Sequence, residues 1–93
     1  MELTVLGVLE FGSMALGIKA LDEMVKVAPI EILEAKTMCP GKYLIVFTGD
    51  VASVEYSFKK GKETGGNHII GSLFLPMVHP QVVASIGKIN KTE

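Results

Sequence analysis

The sequence predicts an α+β fold: one antiparallel sheet with two helices on one of its faces. Three observations lead there. Apolar runs rich in β-branched residues alternate with two stretches whose apolar residues recur at helical spacing. The middle two strand-like runs are joined by only a few residues, Cys39-Pro40-Gly41, which forces them antiparallel. The remaining connections are long enough to hold a helix each, giving the order β-α-β-β-α-β.

Taken in order, Leu3 to Glu10 is apolar at nearly every position and reads as a strand buried on both faces. Gly7 inside it suggests a bulge or the close approach of another backbone. Ser13 is a good N-cap for the first helix. Met14, Ile18, Leu21, Val25 and Ala28 follow at spacings of four and three, a stripe expected to face the core. Asp22 and Lys26 stand in the favourable i, i+4 order, and Pro29 ends the helix. Ile30 to Met38 reads as the second strand and Lys42 to Thr48 as the third. Asp50 is the expected N-cap of a second helix carrying Val51, Val54, Phe58 and Gly61, closed by Gly65-Gly66. Ile69 to Leu75 reads as a fourth strand ending at Pro76. Pro80 suits the first turn of a short C-terminal helix with Val82, Val83 and Ile86. The whole is a ferredoxin-like arrangement, expected as a single domain over residues 1–87 with a polar tail at 88–93. Both sheet faces read apolar, so something should cover the face without helices.

Composition narrows the function. Nine basic and ten acidic residues in a chain of 93 nearly cancel, and all nine basic ones are Lys. Without arginine, the bidentate contacts favoured for nucleic acid are missing, so no nucleic-acid partner is expected. No apolar run reaches the roughly 18–20 residues that span a bilayer, and no basic leader is apparent, so no membrane association is expected. An apolar fraction of 48% in so short a chain suggests surface to spare for oligomerisation.

Candidate chemistry centres on Cys39, the single cysteine. A Pro-Gly pair after it predicts a tight, exposed turn, and an exposed thiol is a reactive group. One thiolate does not make a metal site: clusters and structural zinc want about four ligands, so partners would have to come from other copies of the chain. His68 and His79 are far apart in sequence and near no other ligand. No phosphate loop and no nucleophile–base pair is visible.

These residues resemble the shell-protein domain of bacterial microcompartments. The resemblance runs from Val5 to about Ile86. It is carried by Val5-Leu6-Gly7-Val8-Leu9-Glu10, by Ala20 to Ala28 with its edge lysine Lys26, by Gly49-Asp50-Val51, and by Pro76-Met77-Val78-His79-Pro80. That last segment stands where the family usually carries Pro-Arg-Pro-His, and it lacks the Arg, which puts the usual edge contact in doubt. In place of the family's Gly-rich pore turn stands Lys36-Thr37-Met38-Cys39-Pro40-Gly41-Lys42. It is similar to the first half of tandem-domain shell proteins that hold a 4Fe–4S cluster, and to the single-domain iron–sulfur shell proteins of glycyl-radical propanediol compartments.

The resemblance implies a non-enzymatic homohexamer in the microcompartment shell, within the cytoplasm, alongside other shell proteins. Cys39 would be the metal ligand, Met38, Pro40, Gly41 and Lys42 would line the pore, and Lys26 and His79 would lie at the tile edge. The cofactor would be an iron–sulfur cluster shared between subunits. Two other readings stay open: a plain metabolite pore with Cys39 unligated, and a small binding module whose thiol senses redox state.

Overall fold

A computed structural model describes residues 4–38 and 41–78. Strand β1 (Thr4–Phe11) leads to helix α1 (Met14–Val27), strands β2 (Glu31–Met38) and β3 (Lys42–Gly49), helix α2 (Val51–Gly65), a 3-10 turn (Gly66–His68) and strand β4 (Ile69–Val78). The four strands form one sheet in the order β2-β3-β1-β4, antiparallel throughout. This is the α+β, ferredoxin-like arrangement expected from the sequence. The expected helix after Pro80 and the tail at 88–93 lie outside the described residues.

Local chemistry accounts for the element ends. Ser13 Oγ accepts from the Leu16 amide at 3.3 Å. Asp50 Oδ1 accepts from the Ser53 amide at 2.8 Å and its Oδ2 from the Ser53 hydroxyl at 3.0 Å, satisfying donors that the helix start leaves unpaired. Ala28 is fully extended before Pro29. Gly66 closes α2 with φ +52°, and its amide donates to Lys62 O.

The core lies between the sheet and the two helices. Val5, Leu9 and Phe11 from β1 and Tyr43, Ile45 and Phe47 from β3 meet Ala20 and Met24 of α1 and Val54 of α2. These strand positions alternate, as one face of a pleated strand requires. Gly7 belongs to this face. The Phe47 ring lies over it, with Cζ 2.6 Å from where a Cβ would stand. The expectation of a bulge or an approaching backbone is thus corrected: glycine makes room for an aromatic side chain.

The α1 stripe is also corrected. The buried residues of α1 are Gly17, Ala20 and Met24, with Ala28 behind them. Of the expected stripe, Leu21 packs against the core and Ala28 is buried, but Met14, Ile18 and Val25 are 44%, 51% and 45% exposed. At about 100° per residue, these three sit roughly 100° around the helix from the buried strip. Glu23, on the opposite flank, reaches Lys60 of α2 at 3.8 Å. The exposed stripe therefore faces away from α2. The small residues carry the contact instead. A Cβ at Gly17 would stand 2.5 Å from Tyr43 Cβ, and one at Gly61 would stand 2.5 Å from Leu9 Cδ1 and 2.7 Å from Met24 Sδ. The Ser57 hydroxyl donates to Met24 O at 3.1 Å across the helix seam.

Pro76 does not close β4, which continues to Val78. β4 is an edge strand, where a missing amide costs little. The pairing also slips there, from Leu6↔Leu75 to Thr4↔Val78, so one extra residue is accommodated around the proline.

The second sheet face is mixed. Leu6, Val46 and Thr48 are buried on it, and Leu73 is half-exposed. The registers put Glu10, Glu34, Lys36 and Lys42 on that face as well.

Candidate pore turn and tile edges

The hairpin end of the sheet carries the turn. Met38 and Lys42 are register partners, so residues 39–41 alone join β2 to β3. Gly41 has φ +72°, open space around its Cα, and an exposed position. Its left-handed conformation is the one the Pro-Gly pair predicts at this end of a short loop. Cys39 and Pro40 lie outside the described residues. Met38 and Lys42 beside them are half-buried, and Tyr43 turns inward against Gly17.

That contact orients α1. Its start lies over Tyr43 at the turn end, together with Phe11, which pairs with Tyr43 and with Ile69. Its other end, at Ala28-Pro29, meets Gly49, whose Cβ position is 3.4 Å from Pro29 O. Eight-residue strands separate these ends by about 20 Å. Lys26, in the last turn of α1, is thus at the end remote from the turn. It is 70% exposed, and its Nζ lies 2.8 Å from Asp22 Oδ2. That hydrogen bond and the Asp22 charge raise its pKa above the ordinary lysine value. Thr4 pairs with Val78 at this same end. His79, which follows, lies outside the described residues. Asp50 is also here, its carboxyl held below the usual range by the Ser53 amide and hydroxyl. The structure therefore separates the expected pore residues Met38, Gly41 and Lys42 from the expected edge residue Lys26.

Sequence reasoning missed the two apolar flanks. One is Met14, Ile18 and Val25 on the outer side of α1. The other is Ile70 and Leu73, each 49% exposed, on the β4 edge at the opposite side of the sheet. The signal available was the second strip on α1, Gly17-Ala20-Met24, too small in two of its members to stand out as apolar periodicity.

Two surface hollows, of about 300 and 290 Å³, lie beside α2. They are lined by Tyr56, Lys59 and Lys60, and by Phe58, Lys62 and Phe74, respectively. Neither includes a residue of the turn. Among the described residues, no three His, Cys, Asp or Glu side chains come together to hold a metal. With one thiol per chain, a single copy does not fit an iron–sulfur cluster; only several copies together supply the donors.

The comparisons with known proteins decide the family. The BMC domain model matches residues 5–78. The chain belongs to the BMC domain family, the shell proteins of bacterial microcompartments. It is 38% identical over 88 residues to the bacterial microcompartment shell protein PduT of Citrobacter freundii, covering 95% of this chain and 48% of that protein. A crystal structure of a microcompartment protein from Desulfitobacterium hafniense superposes with a TM-score of 0.86 at 42% identity, over 92% of this chain and 48% of the other. The chain thus spans about half the length of the relatives it matches. The family is structural rather than enzymatic, its members assemble with one another and with other shell proteins, and its place is the microcompartment shell in the cytoplasm. No helix among the described residues is long and apolar enough to cross a membrane.

Proposed function

We propose that this BMC chain closes as a ring of six, with the β2–β3 turns around a central pore and Lys26 and His79 at the rim facing neighbouring tiles. The observation that carries the proposal is the separation of the turn and Lys26 to opposite ends of the domain, with exposed apolar residues on both flanks between them. One flank is helical and the other is a strand edge, so the contact they suit is head-to-tail. Head-to-tail contacts close into rings when the rotation between copies closes, and six copies close at 60° each. Such a ring gathers six copies of Cys39 at one axis.

In that pore the Cys39 thiolates hold a 4Fe–4S cluster, serving electron transfer or cluster transport across the shell of a glycyl-radical propanediol compartment. Thiolate is the donor iron–sulfur chemistry requires, and the cluster supplies one-electron transfer. Four irons cannot match six equivalent thiolates, so three or four copies ligate and the symmetry breaks. Pro40 and Gly41 shape the turn, and Lys42 offsets local negative charge.

Anaerobic purification with an iron assay and a visible spectrum tests this. Wild type should be brown and carry iron, and Cys39→Ser should lose both while keeping its hexameric mass. Iron-free anaerobic wild type, or stoichiometric iron in the Ser variant, would leave the plain metabolite pore in its place. A monomer by sedimentation at micromolar concentration would sink the ring itself and favour the redox-sensing module.

A further inference from the structure

Asp22 and Lys26 form an ion pair on the solvent side of α1. They are four residues apart, about 40° around the helix axis, and Lys26 Nζ lies 2.8 Å from Asp22 Oδ2. Within the chain such a pair is a weak staple for its own helix. That contact leaves much of both groups free. The side chains stay 70% and 58% exposed. An ammonium has three donors and a carboxylate two oxygens, so each group has room for a second partner. Glu23, the other carboxylate here, is drawn towards α2, to Lys60 at 3.8 Å. One negative and one positive charge, a helical turn apart, therefore stand exposed towards the C-terminal end of α1, remote from the hairpin turn.

We infer that Asp22 is the partner of Lys26 across the tile edge, the pairs of two adjoining tiles crossing to make a cluster of four charges. The inference rests on the rim placement of Lys26 proposed above. Identical six-fold tiles that face the same way in a layer meet at two-fold axes. Such a contact is isologous: if one residue touches a second, the second touches the first in return. A lysine alone at a two-fold axis meets its own copy, and the like charges repel. A pair of opposite charges along a helix is self-complementary there. A two-fold axis normal to the layer reverses every direction within it, so two facing α1 helices run antiparallel. Reversal sets Lys26 beside the neighbouring tile's Asp22, and Asp22 beside its Lys26. The chain has no arginine, so no guanidinium supplies this attraction instead. Because the charges are exposed, the contact weakens as salt shortens the Debye length.

Complementary tiles test the contact. Wild type, Asp22→Asn, Asp22→Lys, Lys26→Glu and Lys26→Ala are compared by sedimentation for the mass of the ring, and by light scattering and electron microscopy for layers. At low salt, wild type should form layers. Asp22→Asn should raise the protein concentration at which layers appear by about tenfold or more, since every edge loses both crossed pairs at once. Asp22→Lys makes the pair doubly basic and Lys26→Glu makes it doubly acidic. Each of these should stay as single hexamers. Their equimolar mixture should form layers that dissolve as salt is raised. A wild type that stays as single hexamers, Asp22→Lys hexamers that layer as wild type does, or a mixture that forms no layers overturns this inference and leaves the ring standing. Lys26→Ala hexamers that layer as wild type does overturn the rim placement as well. A monomeric wild type overturns the ring and everything built on it.

Discussion

The two sides of α1 differ in a way that hydrophobicity does not describe. One side carries Gly17, Ala20 and Met24 and is buried against Tyr43, Leu9 and α2. The other carries Met14, Ile18 and Val25, larger and more apolar, and is half-exposed. The buried side is chosen by fit. Glycine at position 17 lets the helix axis come down onto the Tyr43 side chain, where a larger residue would hold it off. The exposed side is apolar without a partner inside the chain, which is the mark of a surface kept for another molecule.

The comparison can be broken most severely from the sheet side of the core. Phe47 is fully buried and its ring fills the space over Gly7. Phe47→Ala should destabilise folding by about 3–5 kcal/mol, read by denaturant unfolding at fixed protein concentration. A loss below about 1 kcal/mol would mean that the ring is not a core element. The next effect is at the close contact itself. Gly17→Ala should gain up to about 1 kcal/mol in helix propensity. The added methyl, however, meets Tyr43 Cβ, an atom held by its own backbone, and overpacking of this kind costs about 1–3 kcal/mol. A net loss is therefore expected, and a stabilised variant would show that α1 can shift outward freely. The smallest effect on folding is on the other side. Ile18→Ser should change stability by less than about 0.5 kcal/mol, yet move the sedimentation profile from hexamer towards smaller species. An unchanged hexamer would remove the α1 flank from the proposed contact.

Much of the architecture is written locally. Ser13, Asp50, Pro29 and Gly66 act through their own hydrogen bonds, fixed φ or tolerance of positive φ, and each stands where its chemistry predicts. The hairpin is legible for the same reason: Pro40-Gly41 between two apolar runs leaves few other conformations. The separation of the turn from Lys26 also follows from the order of elements, since a helix starting over Tyr43 carries Lys26 to the far end.

What only the tertiary structure decided is which apolar surface becomes core. A period of 3.6 finds a face, but two strips about 100° apart on α1 satisfy it nearly equally. The choice between them was made by Gly17 and Gly61, whose missing side chains admit Tyr43, Leu9 and Met24. Gly7 under Phe47 is the same case on β1, where the space belongs to a residue forty positions away. Pro76 could remain in a strand only because β4 is at the sheet edge, a position set by the pairing of all four strands. Local chemistry determined where elements begin and end. The burial of each face depended on close contacts between residues distant in sequence, and no pattern within one segment contains them.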